Sequence, residues 1–578
     1  MRMNSTAYSP NSEAYLSSTS PTINFSKLKC HRGPSLTVLI LLSGSLPLDL
    51  SAAVPTDMSS NGFGTINWLV VIAYALALVG IGLYYSRRQT TTEEYFVGAR
   101  SVHPFIAGIS LFATLFSTLS YIGVPGEIIQ NGPVLIAVGV AATPVIFLLV
   151  GYWVIPMIMK LPVTSAYELL EKRLGFPVRL LGSALFVATR MLWMAIMLYV
   201  TSLVLVSVMG WDFAMATPLA IIAGTLTAVY TVAGGIRAVM VSDVVQFFVL
   251  LIGAVFTLIF ITVKMGGVES WWPTELSSHW QPQPFFSLDP NIRVTMVGTF
   301  VGAIIWWLCT SASDQMAIQR YFSTRDEKTA RRAFLHNLIG YVVVSCLLGL
   351  VGLAVLGFYR AHAQAIPDGY SLSGKGDVFF PHFVSHFLPA GAPGLVLAGL
   401  LAAAMSSLSS GINSTVTVIA KDFIEPFRSG PPPSEKSQIK TARYLAALIS
   451  IVAIAGSQLA GVIPGNLIEV VEKTVNLLIS PLFGLFFLAL FVKFATPFGA
   501  IMGAIYSLTA ATLIGYWEIL IGGAPVSFQW IAPCSLAVTM ICGPLFSLLP
   551  TRGKSRQVLA VYYVVCAAPI VAFIAMVR

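Results

Sequence analysis

The feature that most limits the fold of this chain is a succession of apolar runs about 20 residues long. As an α-helix, a run of that length spans the hydrocarbon core of a bilayer. Backbone N–H and C=O groups find no water there, so a spanning segment has to pair them internally, as a helix does. We mark fourteen runs and predict an all-α polytopic membrane protein with about fourteen transmembrane helices. The runs cover 66–85, 104–123, 133–157, 178–208, 216–232, 239–263, 295–315, 335–358, 394–420, 442–462, 467–492, 499–521, 529–549 and 557–577.

Composition excludes a water-soluble protein, because 56% of the 578 residues are hydrophobic and only 10% are charged. The six cysteines form no CxxC pair, so we predict neither a metal cluster nor a disulfide framework. The sequence also lacks a catalytic-triad pattern, a dinucleotide fingerprint and a P-loop. These observations argue against an enzyme, an organic cofactor and ATP-driven transport.

Lys and Arg residues are concentrated in alternate loops, beginning with 86–103 and 158–179. Positive loops stay in the cytoplasm, so this asymmetry predicts the orientation of the chain. We expect a multi-pass protein of the plasma membrane with both termini outside. The net charge of +9 is then a topology signal and implies no nucleic-acid partner.

Residues 1–65 form a separate N-terminal extension. Its first half is polar and rich in Ser and Thr, and we expect it to be disordered. Basic residues at 27–32 then precede the apolar run 36–48, a pattern similar to a signal peptide that begins far from the N-terminus. The alternative, which we favour, is a misassigned start, because Met58 lies just ahead of the first span.

Four serines interrupt the apolar run of the ninth span. On a helix, Ala403, Ser406, Ser407 and Ser410 share one face, and Ser406, Ser409 and Ser410 share an overlapping one. Hydroxyl and carbonyl oxygens are the ligands that a hard cation such as Na⁺ takes in exchange for water. Close helix packing, with each hydroxyl bonded to its own backbone, is the alternative explanation.

The second span carries a cluster of hydroxylated residues between 114 and 120, followed by Gly123 and Pro125. Gly and Pro weaken the helical hydrogen-bond ladder, which leaves backbone carbonyls available to a cation. The sequence therefore predicts a broken helix here, with an ordinary Pro-terminated span as the alternative.

Five segments, each at a predicted helix boundary, form an ordered set of motifs. They are EYFVGARS at 94–101, PVTSAYELLEKRLG at 162–175, GGIRAVMVSDVVQ at 234–246, SDQMAIQRY at 313–321 and AAMSSLSSGIN at 403–413 with Asp422. In order and position these segments resemble motifs of the sodium:solute symporter family, over a stretch from about residue 66 to at least 500. The segment GVPGE at 123–127 is similar to the branch that transports monocarboxylates, vitamins and iodide.

The resemblance implies a fold of two inverted repeats of five helices, with a discontinuous first core helix and a substrate site near the midplane. The symporter domain would cover 66–578. Its core repeats would lie at about 104–263 and 295–492, and its peripheral helices at 66–85 and 499–577.

The resemblance also implies a first sodium site. It would join the carbonyl oxygens of Ala113, Phe116 and Ala403 to the hydroxyls of Ser406 and Ser407. All five positions fit the family pattern, although Phe116 replaces a smaller aliphatic residue. Because Phe116 would contribute only its carbonyl, we expect the site to survive.

A second sodium site, which only some family members have, would join the Asp243 carboxylate to Ser406, Ser409 and Ser410. A carboxylate inside a span costs a few kcal/mol without a partner, and a bound Na⁺ would offset that cost. The alternative is an interfacial Asp243 that faces headgroup water. Na⁺ is the only metal ion that we predict, and it acts as a coupling ion.

Candidate substrate contacts are Ser117, Thr118 and Ser120, which lie at the predicted helix break. Arg190 lies several residues inside a span, where a guanidinium is costly without a partner. It could bind a carboxylate of the solute, snorkel to the interface, or pair with another helix. The first of these would make the solute a small anion.

We therefore predict a sodium-coupled secondary active symporter that imports a small solute, a monocarboxylate or another small anion, with two Na⁺ per solute. Its partners would be Na⁺, the solute and the bilayer, with no obligate protein partner. A sugar or amino-acid symporter is the alternative substrate class. A channel, or a sensor on a transporter scaffold, is the alternative function, although no room for a signalling module remains after the last span.

Overall fold

The computed structural model describes residues 63–86, 91–160, 165–431, 433–459, 467–551 and 553–577. The secondary structure of these residues consists of helices joined by loops, with no β-strand among them. All of them belong to the single unit Leu48–Arg578. The all-α class is confirmed. Apart from its last three residues, the predicted N-terminal extension lies outside the described part of the chain.

The helices that position the site are numbered in chain order. They are α1 (Thr65–Ser86), α2 (Thr92–Val97), α3 (Pro104–Leu115), α4 (Thr118–Asn131), α5 (Val134–Met159), α6 (Glu168–Leu174), α7 (Phe176–Met209), α8 (Ala216–Lys264), α9 (Met296–Ser313), α10 (Gln315–Phe322), α11 (Glu327–Ala361), α12 (Phe379–Phe387), α13 (Ala392–Val418), α14 (Glu435–Ser457), α15 (Leu467–Phe491), α16 (Pro497–Gly515), α17 (Trp517–Ile521), α18 (Ile531–Ser547) and α19 (Arg556–Val577).

Within the described part of the chain, each of the fourteen predicted runs falls on a helix or on a consecutive pair of helices. Ten helices of the described residues are long and apolar enough to cross a membrane singly, and a pair bent by 108°, Thr92–Arg100 with Pro104–Leu115, is an eleventh candidate. The number fourteen is compatible with this structure, because α8 covers two of the predicted runs on either side of its kink and the shorter apolar helices Val475–Phe491 and Gln557–Phe573 are two further candidates.

The first core helix is broken between α3 and α4. Phe116 (φ −96°, ψ 122°) and Ser117 (φ −118°, ψ 173°) are extended there. The break lies before Gly123 and Pro125, both of which are accommodated inside α4. The discontinuous helix was predicted, but the residues held responsible for it do not form the break.

A second break separates α9 from α10, within the single span predicted at 295–315. Asp314 is extended there (φ −84°, ψ 120°), and its carboxylate caps α10 by accepting from the Met316 N–H at 2.8 Å. An aspartate can replace the hydrogen bonds that a helix loses at a new N-terminus. The two breaks lie in the first helix of each predicted repeat.

The serine-rich helix α13 is central to the fold. It packs against α8, which is itself kinked at Gly235, where φ is +54° and only glycine is unstrained. In the most apolar stretch of the α13 span, 89% of the residues are buried, against 22% in α1. Helix α1 therefore presents most of its surface to lipid, whereas the hydroxyls of α13 face other helices.

Candidate functional site

The Ser406 hydroxyl of α13 contacts the unwound end of α3. Its Oγ donates to the carbonyl oxygen of Ala113 at 2.8 Å and also lies 3.1 Å from that of Ala403. Next to it, the Ser407 Oγ lies 3.0 Å from the Thr114 carbonyl oxygen and 3.2 Å from that of Phe116. The structure thus brings together all five residues predicted for the first sodium site.

The balance of donors and acceptors in this cluster favours a cation. The hydroxyls of Ser406 and Ser407 carry one hydrogen each, whereas four carbonyl oxygens lie within hydrogen-bond distance of them. The Ala403 carbonyl has a helical N–H partner inside α13, but those of Ala113, Thr114 and Phe116 lie at the end of α3, where the helical ladder stops, and these residues are buried. Closely spaced oxygens with too few hydrogens suit a hard cation that replaces them.

A cavity of about 210 Å³ lies directly beside the break. Its wall is largely apolar and includes six aromatic residues, and the polar side chains on it carry hydroxyl and amide groups. No charged side chain occurs among the described residues that line it. The aromatic residues are Phe112, Phe116, Trp306, Trp307, Tyr341 and Phe528, and the polar ones include Ser120, Thr299, Ser345 and Gln529.

The three hydroxylated substrate candidates separate in the structure. Ser120 lines the cavity. Thr118 instead donates to the Leu400 carbonyl oxygen at 2.8 Å and so ties α4 to α13. The Ser117 hydroxyl is buried without a hydrogen-bond partner among the described residues, and it does not line the cavity. Of the three, only Ser120 lines this cavity.

Arg190 forms an ion pair with Asp314 at the break between α9 and α10. Both side chains are buried, and the guanidinium also lies 5.8 Å from the centre of the Phe186 ring. Arg190 does not line the cavity. The structure therefore supports the third possibility raised from the sequence, pairing with another helix, and removes the need for a solute carboxylate to neutralise this charge.

Asp243 is completely buried, so it is not the interfacial residue of the alternative interpretation. Its Oδ2 accepts from the Ser110 hydroxyl at 2.6 Å and lies 3.5 Å from Nη2 of Arg320. Its Oδ1 has no hydrogen-bond partner among the described residues. A guanidinium and a hydroxyl thus stand at the place where the sequence predicted a second Na⁺.

Arg320 lies just beyond the run predicted at 295–315, yet it is not a loop residue. Its side chain is fully buried in the last turn of α10. It donates to the hydroxyl of Ser110 at 3.2 Å, to the carbonyl oxygen of Met316 at 3.1 Å, and to the hydroxyl of Ser410. The signal for it was available, because a carboxylate inside a span calls for a nearby cation.

The remaining residues of the predicted second site lie on the same face of α13. The Ser410 hydroxyl is 2.8 Å from that of Thr114, and the Ser409 hydroxyl donates to the Ser406 carbonyl oxygen at 3.0 Å. The two predicted sodium sites are therefore adjacent, because Thr114 touches the first through its carbonyl and Ser410 through its hydroxyl.

A second ion-pair network, absent from the sequence predictions, lies at one end of the cavity. Arg293 forms a bidentate pair with Glu127 at 2.7 and 2.8 Å and reaches Glu469 at 2.7 Å. Its guanidinium also packs 5.4 Å from the centre of the Phe528 ring, a cavity residue. Arg293 therefore connects the end of α4 to the start of α15. Glu127, in the segment GVPGE, was the available signal.

Comparison with known proteins places the chain among membrane symporters. The family model described as "Sodium:solute symporter family" matches residues 95–507. The sodium/sialic acid symporter SiaT of Proteus mirabilis is 31% identical over 85% of this chain and 97% of its own length. The sodium-dependent multivitamin transporter of Oryctolagus cuniculus is 29% identical over 87% of this chain and 79% of its own.

A solved structure supports the same fold. It is described as a substrate-bound outward-open state of a Na⁺-coupled sialic acid symporter that reveals a novel Na⁺ site. It matches with a TM-score of 0.71 and 28% sequence identity, over 84% of this chain and 98% of its own.

Proposed function

Because the chain belongs to the sodium:solute symporter family, we propose that it couples the inward movement of Na⁺ to the uptake of a small carboxylate anion. Its relatives are sodium-coupled transporters and not enzymes. They include proteins named for sialic acid, for vitamins and for monocarboxylates. Two of those three names denote acids, which supports an anionic solute.

The observation that carries the proposal is the convergence of Ser406 and Ser407 on the carbonyl oxygens of the broken helix. We assign the first Na⁺ to the oxygens of Ala113, Phe116, Ala403, Ser406 and Ser407. Na⁺ at this point would hold α13 against the unwound segment between α3 and α4. Without the ion, only the two serine hydrogens connect the same groups.

Phe116 explains how ion and solute are coupled. Its carbonyl oxygen contacts Ser407 in the proposed ion site, while its side chain lines the cavity. An ion that fixes the backbone at this position also fixes one wall of the cavity. Solute bound against that wall would in turn stabilise the ion-binding conformation, and this coupling is reciprocal for two ligands of one protein.

The negative charge of the solute would be stabilised without a guanidinium. Arg190 is occupied by Asp314, and the lining of the cavity carries no charged side chain. A carboxylate beside Ser120 would instead meet the first N–H groups of α4 and the adjacent Na⁺. The apolar part of the solute would pack against Trp306 and Trp307. A sugar or amino-acid solute is the alternative.

A second Na⁺ would bind Asp243 with Ser406, Ser409 and Ser410. The related structure is described as having a novel Na⁺ site, and this chain has a buried carboxylate oxygen without a partner beside the serine face. With a monocarboxylate, two Na⁺ per solute would carry one net positive charge inward. The membrane potential would then add about 2.3 kcal/mol per 100 mV to the driving force.

The test is uptake by the purified protein in liposomes. An inward Na⁺ gradient should drive saturable uptake of a labelled carboxylate, and replacing Na⁺ by choline should abolish it. Ser407→Ala should reduce the apparent Na⁺ affinity. Ser450→Ala is the matched control, since Ser450 is a buried serine of α14 whose hydroxyl donates to the Ala446 carbonyl oxygen, one turn earlier in the same helix.

The outcome also separates the alternatives. Competition by neutral sugars or amino acids, with none by carboxylates, would replace the proposed solute class. Flux that rises linearly with concentration, without saturation, would indicate a channel. Uptake that proceeds equally in choline would contradict the sodium coupling itself.

A further inference from the structure

Arg320 lies beside the proposed second Na⁺ site but has no role in the proposed function. It donates to the hydroxyls of Ser110 and Ser410 and lies 3.5 Å from the Asp243 carboxylate. Ser410 and Asp243 are also two of the ligands proposed for the second Na⁺. The Arg320 guanidinium and the proposed second Na⁺ would therefore both bind the Ser410 hydroxyl and the Asp243 carboxylate.

A single positive charge suffices to balance Asp243. The Arg320 guanidinium supplies that charge in the structure as it stands, with both side chains fully buried. A second Na⁺ bound with Arg320 in place would leave an excess positive charge in a region of low dielectric, which is strongly unfavourable. Binding of the second Na⁺ therefore requires the guanidinium to withdraw.

The ion pair between Arg320 and Asp243 is long, as expected for a contact that can be exchanged. The Nη2–Oδ2 distance is 3.5 Å, and Oδ1 of Asp243 has no hydrogen-bond partner among the described residues. The Arg293–Glu127 pair shows the contrast, because there both carboxylate oxygens accept from the guanidinium at 2.7 and 2.8 Å. Removing Arg320 from Asp243 would thus break no direct short hydrogen bond between the two.

We propose that Arg320 is a tethered counter-cation for Asp243 that the second Na⁺ displaces. This inference rests on the proposed function, since it presupposes a second Na⁺. Arg320 is in the last turn of α10, the short helix that starts at the Asp314 break. Displacement of its side chain would therefore transmit occupancy of the second site to the broken helix of the second repeat.

The decisive experiment is Na⁺ binding to the Arg320→Gln variant, measured without solute. Detergent-purified protein is titrated with NaCl at constant ionic strength, with choline chloride as the balance. Thermal stability and bound ²²Na⁺ are read at each concentration. Without its competitor, the second Na⁺ should bind at least about tenfold more tightly, within the range usual for coupled sites.

The thermal stability of Arg320→Gln in choline and in Na⁺ distinguishes a counter-cation from an arginine with a purely structural role. Arg320→Gln leaves Asp243 buried and uncompensated, so the variant should be less stable than the parent in choline. Saturating Na⁺ should restore most of that loss. Arg320→Gln combined with Asp243→Asn should be insensitive to the second Na⁺ and should regain stability in choline.

Arg190→Gln is the matched control, because it also removes a buried arginine from a buried aspartate, Asp314, but outside the serine cluster. Relative to the parent, its stability should fall by the same amount in choline and in saturating Na⁺, because both proposed Na⁺ sites are intact. Should Arg320→Gln fail to purify, Arg320→Met, which also removes the charge but keeps a long unbranched side chain, replaces it and should shift the Na⁺ affinity in the same direction.

An unchanged or weaker Na⁺ affinity in the Arg320 variants, with ²²Na⁺ still bound at the first site, would overturn this inference and leave the proposed function intact. Absence of any Na⁺ binding to the parent protein would overturn the proposed function as well. The two failures are thus distinguishable in one titration.

Discussion

The Ser406 hydroxyl donates to the Ala113 carbonyl oxygen at 2.8 Å, across 293 positions of the sequence. This bond joins the centre of α13 to the last turn of α3. The carbonyl groups that it approaches are those that the helix break releases from the regular ladder. The serine hydroxyls of α13 thus supply hydrogen bonds to carbonyl oxygens at the end of α3. The same oxygens form the proposed ion site.

Ser406→Ala should impair Na⁺-dependent transport more than Ser409→Ala. Ser406 contacts the carbonyl oxygens of both Ala113 and Ala403, whereas Ser409 donates to the backbone of its own helix. Loss of one oxygen ligand to a cation corresponds to about 1.5–3 kcal/mol, or roughly 10- to 160-fold in Na⁺ affinity. The measurement is the Na⁺ concentration for half-maximal uptake. Equal shifts in the two variants would contradict the assignment of Ser406 to both sites.

Asp243→Asn should lower the Na⁺ dependence of uptake towards first order while some transport persists. The variant removes the charge that would hold the second Na⁺ but leaves the oxygens of the first site in place. Parent protein should show a Hill coefficient for Na⁺ above one. A reversal potential that gives one Na⁺ per solute in the parent protein would show that the second site is not used.

Arg190→Gln should reduce the stability of the protein by about 3–5 kcal/mol, because it leaves Asp314 buried without its partner. Combining it with Asp314→Asn should recover much of the loss. The measurement is thermal unfolding in detergent. Since Arg190 does not line the cavity, the double variant should keep the KM for solute near that of the parent. A large rise in KM together with normal stability would return Arg190 to substrate binding.

Ser120→Ala should raise the KM for the solute, whereas Thr118→Ala should not. Ser120 lines the cavity, while Thr118 is bonded to the Leu400 carbonyl oxygen. A neutral hydrogen bond of about 0.5–1.5 kcal/mol corresponds to roughly a 2- to 12-fold change in KM. Thr118→Ala should instead lower thermal stability. The opposite pattern would place the solute elsewhere along α4.

Glu469→Gln should make the cavity easier to reach from the end at which α15 begins. The substitution weakens the contact to Arg293 while keeping the Arg293–Glu127 pair, so α15 is released from α4. The readout is the rate at which a cysteine placed at Ser120 reacts with a polar thiol reagent, corrected for the native cysteines. Glu425→Gln, which breaks the exposed Lys421–Glu425 pair, is the control. No acceleration over that control would mean that Arg293 does not restrain the opening.

Local properties of the sequence were enough for the class and the helix positions, whereas the residues proposed for the first ion site came from the family resemblance. Apolar runs map onto helices because span length depends only on bilayer thickness and helical rise. The serine face follows from the 3.6-residue period. The break between α3 and α4 was expected in the right helix, but it lies at Phe116 and Ser117 because bonds from α13 stabilise the carbonyls there.

The sequence by itself therefore determined that this chain is a multi-helix membrane protein with a hydroxyl-lined helix and a broken one, as in its family. Only the tertiary structure decided which charges meet. Arg320 faces Asp243, and Arg190 faces Asp314. Each of these ion pairs joins two helices that are far apart in sequence. The partner of each charged residue therefore depends on how the helices pack. The energetic demand for a partner is visible in the sequence, because a buried charge is costly, but the residue that meets it is chosen by the packing.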